Sequence, residues 1–337
     1  MIRWGLIGCG KVVQNKSGAA FRDVPHSKVA AVMGRDLEKA KNTAEKLKAS
    51  EWCDTVEELL SKEIDAVYIA TPPGLHYEQA LACLKAGKPV YLEKPMARNY
   101  TEAKALTEAF AKAGVPLYIA HYRRAQQRFL KIRELLNEGT IGKIEDVEFS
   151  IKRSFSQKDL EHGWLYNTAM SGGGKFYDIA PHAVDIINFL FGNIVKTEGK
   201  AQNLGMGCPL ENYVEMSFET EKGIRAAGTF HGLSEERCDR MYVKGTKGTM
   251  EFSVHGKSDI VLKDLQDNVL KRYAIPEPKI VEEPMIQSVV EDLLGIGVCE
   301  SRAKDVLVAY EVIDQILDSF YGGRSDEFWK YPERCGR

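Results

Sequence analysis

Neither sign of charge dominates this sequence: 46 Lys and Arg stand against 48 Asp and Glu, a formal net of −2. The basic surplus that draws in phosphate backbones is missing, which excludes nucleic acid as a main partner. Cysteines are few and badly spaced for cross-linking. The seven (Cys9, Cys53, Cys83, Cys208, Cys238, Cys299, Cys335) are odd in number and form no CxxC pair. That excludes a disulfide scaffold and points to reduced thiols in a cytoplasmic compartment. No Cys/His group has metal-ligand spacing, so no metal site is expected. Apolar runs stay far short of the ~20 residues that cross a membrane, so no membrane partner is expected. Met1 leads directly into Ile2–Ile7, which reads as a strand rather than a signal peptide. Internal repeats and low-complexity linkers are also lacking. The expectation is a soluble intracellular protein whose 337 residues suffice for two domains.

The first 120 residues alternate between two periodicities. Short apolar runs (Trp4–Ile7, Val29–Met33, Ala66–Ala70, Pro89–Leu92, Leu117–Ala120) read as buried strands, and helix-like stretches (Leu37–Lys48, Tyr77–Ala86, Thr101–Ala113) lie between them. This rhythm predicts a doubly wound α/β domain with a parallel sheet and ligands at the carboxyl ends of its strands. After residue 120 the rhythm changes. Helices are expected over Phe129–Asn137, Lys175–Phe191, Met285–Leu294 and Ala303–Phe320. Strands are expected at Lys143–Phe155, Val195–Asn203, Tyr213–Glu219, Ile224–His231, Met241–Lys244, Thr249–Val254 and Ile260–Leu265. Lys222-Gly223 and Gly245-Thr246-Lys247-Gly248 supply hairpin turns. The second half is therefore α+β on a largely antiparallel sheet. The division expected is 1–120, a dinucleotide-binding domain, 121–322, a substrate-binding and oligomerisation domain, and 323–337, a C-terminal tail.

Gly8-Cys9-Gly10 follows the first strand and opens a helix at about Lys11. Such glycines allow a tight turn and bring backbone close to a pyrophosphate at a helix N-terminus, where Lys11 and Val12 would also stand. Val13 occupies the third glycine position of the GxGxxG pattern. Folds that prefer NAD place a carboxylate ~20 residues further on, at the ribose hydroxyls. Gly34 stands there instead, followed by Arg35, whose guanidinium suits a 2′-phosphate, so NADP is preferred over NAD. The plainer alternative makes Arg35 a solvated helix-start residue and Asp36 only an N-cap.

Glu93-Lys94-Pro95 ends another buried strand at the edge where α/β sheets hold ligands. Lys94 there is either a proton-transfer or oxygen-polarising group, or a residue of a solvated turn. Thr71-Pro72-Pro73 forms the neighbouring wall; His76 lines the same crevice or is structural. In the helix from Lys175, residues advance ~100° each, so Asp178, His182 and Asp185 fall within about 60° of one another, off the apolar stripe. A His between two Asp is suited to proton exchange near neutral pH, against the ordinary alternative of a solvated face. Pro181 is expected to delay the start of the regular helix. Gly172-Gly173-Gly174 just before it let a ligand or another backbone come close.

Taken in order, Gly8-Cys9-Gly10, Ala70-Thr71-Pro72-Pro73 with His76, Glu93-Lys94-Pro95, Gly172-Gly173-Gly174 with Asp178 and His182, and the Gly245–Thr249 hairpin resemble one family over nearly the whole chain. It is the glucose–fructose oxidoreductase, inositol dehydrogenase and MocA-like group of NAD(P)-dependent oxidoreductases. The resemblance implies hydride transfer between nicotinamide and a sugar, polyol or related hydroxyl or carbonyl compound. It implies Lys94 and His182 as a catalytic pair with Asp178 beside them, and Glu93 facing the nicotinamide ribose. An open-faced sheet mediating homodimers or homotetramers is implied as well. Trp164-Leu165 departs from the family's usual Trp-Arg, and Tyr122 or Arg123, in His121-Tyr122-Arg123-Arg124, contributes to the pocket on this reading. Two other readings are a cofactor-sensing regulator without chemistry and a lyase or glycosidase that oxidises its substrate transiently.

Overall fold

The computed structural model describes residues 1–154, 163–205 and 209–334. Phe155, Cys208 and Cys335 therefore lie outside the described residues. The chain forms two compact units, Met1–Ala97 with Glu102–Gln126 and Pro278–Leu307, and Arg98–Thr101 with Gln127–Glu277 and Val308–Arg337. This differs from a linear division at residue 120, because a late segment joins the first unit and residues 323–334 group with the second.

In the first unit, six strands lie in the order β3-β2-β1-β4-β5-β6: β1 Ile2–Ile7, β2 Ser27–Met33, β3 Glu51–Cys53, β4 Ala66–Ile69, β5 Val90–Leu92 and β6 Leu117–Ile119. All pairings are parallel. Strands β4, β5 and β6 are apolar and buried at every position, as expected where helices cover both faces. The order reverses between β1 and β4, where such sheets bind ligands. A helix opens at Lys11, passes through a π-helical turn at Val13–Ser17 and continues as α1, Gly18–Asp23. Asp36 caps α2, Leu37–Leu47, by accepting the Lys39 N–H at 3.0 Å. Thr55 likewise caps α3, Val56–Leu60, and Pro73 occupies the first position of α4, Pro73–Lys85, where its missing N–H costs nothing. β3 and α3 escaped the sequence reading: Glu51-Trp52-Cys53 is no continuous apolar run, unlike the equally short β5 and β6, and five residues are too few for helical periodicity to register. Helix α5, Tyr100–Ala113, precedes β6.

The first unit's core is aromatic: Trp4 meets Phe21 edge-on at 4.9 Å, Phe21 meets Tyr68 at 4.7 Å, and Tyr68 stacks on Tyr91 at 5.4 Å. Pro278–Leu307 closes this core with Met285, Ile286, Val289 and Val290. The segment is pinned to the β6 edge by Ser301, whose hydroxyl donates to the Ile119 carbonyl at 2.7 Å, and by a bridge between Tyr118 and Arg302.

The second unit is built on an eight-stranded sheet, β14-β13-β12-β11-β7-β10-β9-β8. Its strands are β7 Ile144–Ser154, β8 Ile194–Gln202, β9 Tyr213–Thr220, β10 Arg225–His231, β11 Leu233–Gly245, β12 Gly248–Phe252, β13 Ile260–Lys263 and β14 Val269–Tyr273. Only β7 and β10 pair in parallel; every other neighbour is antiparallel. Thr246-Lys247 turns between paired Gly245 and Gly248, as the glycine spacing predicts. Strand β9 alternates buried and exposed positions, so one face is covered and the other open. The covered face packs on α6, Gln127–Asn137, and on α8, Lys175–Phe191, with Phe176 against Phe230 at 5.6 Å. A one-turn helix α7, Thr168–Ser171, leads into α8; helices α9, Glu283–Leu293, and α10, Ala303–Tyr321, complete the chain's helical order. Among the described residues no helix is long and apolar enough to cross a membrane.

Candidate active site

The glycine turn stands at the carboxyl edge of the parallel sheet, held by its neighbours. The Gly8 N–H donates to the Met33 carbonyl at 2.9 Å, and Ala70 N–H donates to the Ile7 carbonyl at 2.8 Å. Gly8 has φ +114°, and a Cβ there would lie 2.7 Å from the Ala70 carbonyl oxygen, so only glycine fits. At Gly10 a Cβ would meet nothing within 4 Å. The turn thus leaves bare backbone facing open space where a helix begins, which fits the pyrophosphate of a dinucleotide.

At the end of β2, a Cβ on Gly34 would lie 2.6 Å from the Cys9 sulfur. A side chain at this position would therefore collide with the glycine turn. Arg35 is exposed beside it, and Asp36 is committed to its N-cap, as the plainer alternative had it. A cavity of 420 Å³ alongside is lined by Gln14, Asp36, Lys39, Asn42, Lys46 and neighbours.

At β4 and β5 the edge continues. Thr71 Oγ1 donates to Gln79 Oε1 at 2.6 Å, and Pro72 stands directly before α4. His76 is fully buried, with Nε2 2.7 Å from the Thr71 carbonyl and Nδ1 2.9 Å from that of Pro95. Burial pushes its pKa down to about 4, so the ring is neutral at physiological pH and its single N–H donates to one of these two carbonyls. The structural alternative for His76 describes it best. Lys94 is half-buried and Glu93 only 6% exposed, so this is no solvated turn.

Glu93 is enclosed by its own unit. Its Oε1 accepts the Tyr68 hydroxyl at 2.7 Å, and its Oε2 accepts the Lys94 N–H at 3.2 Å. Glu282, wholly buried just before α9, meets Glu93 through its carboxyl and takes the Tyr91 hydroxyl at 3.3 Å. Burial, and then the Glu93 charge, push the Glu282 carboxyl well above the usual range, against the pull of Lys16. Burial beside Glu93 thus favours the protonated form of Glu282. Nothing in the sequence marks it, because a Glu before a helix reads as surface. Tyr122 and Arg123 are buried in this unit, with the guanidinium 5.0 Å over the Tyr122 ring.

In the second unit, Asp178 and His182 share α8. The helix is regular from Lys175 with Pro181 inside it, so the expected delay does not occur. An external acceptor for its first N–H groups, Glu211, and burial of Phe176, Tyr177 and Ala180 outweigh the proline's cost. His182 is 4% and Asp185 1% exposed while Asp178 is half-buried, which rules out a solvated face. The His182 ring meets His255 edge-on at 5.9 Å. His255 sits in a loop that Asp239 fastens by accepting the N–H groups of Val254, His255 and Gly256. The sequence reading missed it, since β12 ends just before it and a lone His beside Gly carries no pattern. Trp164 is 41% exposed in a short 3-10 turn.

The family model for the oxidoreductase family with an NAD-binding Rossmann fold matches residues 2–121, and that for the GFO/IDH/MocA C-terminal domain matches 129–251. The chain belongs to the GFO/IDH/MocA oxidoreductase family. It is thus an NAD(P)-binding oxidoreductase, as its motifs imply. The chain is 36% identical over 322 residues to oxidoreductase P35 of Formosa agariphila, covering 93% of this chain and 97% of that protein. With the scyllo-inositol 2-dehydrogenase (NADP(+)) of Bacillus subtilis it shares 36% identity over 129 residues, 38% of this chain and 35% of the relative. In structure it is similar to an oxidoreductase from Agrobacterium radiobacter solved with NAD+, L-tartaric acid and magnesium: the TM-score is 0.83 at 18% identity, over 94% of this chain and 96% of that one.

Proposed function

We propose that this GFO/IDH/MocA oxidoreductase interconverts a secondary hydroxyl and a carbonyl on a sugar or polyol, using NADP(H) in preference to NAD(H). Nicotinamide, when bound, supplies or receives the hydride. Gly8, Gly10, Lys11 and Val12 hold the pyrophosphate, and Thr71 and Pro72 wall the crevice. Lys94, at the carboxyl end of β5, places its ammonium against the reacting oxygen and stabilises negative charge developing there. His182 takes the hydroxyl proton during oxidation and returns it during reduction, with Asp178 orienting it or the substrate. Tyr122, Arg123 and Trp164 are proposed substrate contacts.

The observation that carries this reading is Lys94 half-buried at the ligand-binding edge, in line with an open glycine turn. Preference for NADP is supported by Gly34 packed on Cys9, by exposed Arg35, and by Lys39 and Lys46 at the adjoining cavity. The relative named for scyllo-inositol and NADP(+) supports a polyol-like substrate. Homodimers or homotetramers would form through the open face of the eight-stranded sheet, where a 640 Å³ groove runs past Glu148, Glu198, Lys200 and Glu215. Unpaired thiols at Cys9, Cys53, Cys83, Cys238 and Cys299 support a cytoplasmic location.

Calorimetric titration with NADPH and NADH, followed by a polyol and aldose screen with the better cofactor, tests the proposal. NADPH should bind at least about tenfold more tightly, a difference of ~1.4 kcal/mol, and at least one polyol or aldose should turn over. Binding without turnover across the panel would instead make the protein a cofactor sensor. Copurified cofactor with no net consumption would indicate transient oxidation.

A further inference from the structure

Three consecutive glycines are the most entropically costly start a helix can have, since each has the widest conformational freedom to lose. Yet Gly172–Gly174 is tied down at successive peptide units. Arg324 Nη1 donates to the Gly172 carbonyl at 2.8 Å, and the Ser171 hydroxyl donates to the Gly173 carbonyl at 2.7 Å. Both carboxylate oxygens of Glu211 accept the Gly174 N–H at 2.8 Å, and Oε1 also accepts that of Tyr177 at 3.2 Å. No side chain of the loop caps α8; the cap comes from Glu211, 37 residues further along the chain. The glycines exist for this approach. A Cβ would lie 2.6 Å from the Arg98 carbonyl at Gly172, 2.6 Å from Tyr177 Cβ at Gly173, and 2.7 Å from Glu211 Oε2 at Gly174.

The anchors are themselves fixed. Glu211 and Arg324 are each 1% exposed. The Tyr321 hydroxyl donates to Glu211 Oε2. Arg324 Nε pairs with Asp314 Oδ1 at 2.8 Å, and Nη2 donates to the Arg98 carbonyl at 2.9 Å. Its guanidinium also lies against the rings of Phe328, Tyr177 and Tyr321 at 4.4, 4.8 and 5.0 Å. One buried cation therefore joins the glycine loop to Arg98, which follows closely after Glu93-Lys94-Pro95 in sequence.

From this geometry we infer that Glu211 and Arg324 are positioning residues: a buried clamp, part of it supplied by the C-terminal segment, sets the axial position and rotation of the helix that carries Asp178 and His182. The inference rests on the proposed role of His182 in proton transfer. A fixed carboxylate at the helix start matters because misplacing a reacting group by about 1 Å costs ~10²-fold in rate.

Glu211→Gln is nearly isosteric but keeps a single acceptor oxygen, so an amide NH2 replaces one of the two oxygens that face the Gly174 N–H. Arg324→Lys keeps a cation for Asp314 while losing the fork that reaches both carbonyls. Each variant is made alone and in a His182→Asn background, and kcat, KM, NADPH affinity and Tm are measured on a substrate found in the screen. The expectation is a kcat loss of about 10–100-fold with NADPH affinity within about twofold, and no further loss when His182 is already Asn. Unchanged kcat in both variants, or losses that multiply in the His182→Asn background, would overturn the clamp. Near-normal turnover of His182→Asn alone would overturn the proton-transfer role instead. Amide exchange gives a reading that needs no substrate. Glu211→Gln should speed exchange at Gly174 and Tyr177 about 10–100-fold while sheet amides hold. Uniform acceleration throughout the second unit would mean ordinary destabilisation and overturn the inference.

Discussion

Replacing Glu282 with Gln tests the buried carboxyl pair through its pH dependence. Glu282 is wholly enclosed, faces Glu93, Tyr91 and Tyr68, and feels the opposing charge of Lys16. Its folded pKa is raised, so the folded state holds a proton that the unfolded chain releases above about pH 4.3. Stability from this group is present below that unfolded value and is lost as pH rises toward the folded one. The slope is about 1.4 kcal/mol per pH unit, or ~2.7 kcal/mol between roughly pH 5 and 7, provided the folded value lies above that window. Glutamine keeps the volume and a donor for Glu93 but does not titrate. Urea unfolding of both proteins at three pH values, followed by circular dichroism and by exchange of β1 and β4 amides, measures the difference. The wild type should lose its advantage over Glu282→Gln as pH rises. A difference constant within about 0.5 kcal/mol across that window would refute the assignment of a protonated Glu282.

Gly8→Ala forces a side chain into φ +114° and against the Ala70 carbonyl. It should lower stability by about 1–3 kcal/mol and weaken NADPH at least tenfold, read by calorimetry and thermal unfolding. Arg35→Ala should weaken NADPH by about 10–100-fold, as expected for lost charge-assisted hydrogen bonds, while NADH binding changes little; equal losses for both cofactors would remove Arg35 from the 2′-phosphate. Lys94→Met should depress kcat more than cofactor affinity in steady-state assays, and a pure affinity loss would reassign Lys94 to cofactor binding. His76→Asn should lower Tm without a pH-dependent rate effect near neutrality, because the imidazole carries no charge there.

The α/β half was readable because parallel strands buried on both faces write themselves as apolar runs: Trp4–Ile7, Val29–Met33 and Ala66–Ile69 are all strands. Gly8-Cys9-Gly10 and Glu93-Lys94-Pro95 were readable for a related reason, since each follows directly on such a run. Helix α8 was found from its apolar stripe, though its regular start at Lys175, ahead of Pro181, was not. Very short elements were lost, β3 and α3 among them, and so was β14, whose Val269–Tyr273 is mostly exposed and packs little.

Local order in the sequence thus determined most of the strands and helices, the glycine turn and the types of residue available for chemistry. Each of those depends on neighbours a few positions apart. Tertiary structure alone decided which charges are buried and what they serve. Glu282 against Glu93, Glu211 on the Gly174 and Tyr177 amides, Arg324 between two carbonyls, and His255 beside His182 join residues far apart in the chain. Burial and long-range hydrogen bonding are properties of the packed chain, and a charged residue's local sequence carries no record of the partner that makes its burial tolerable.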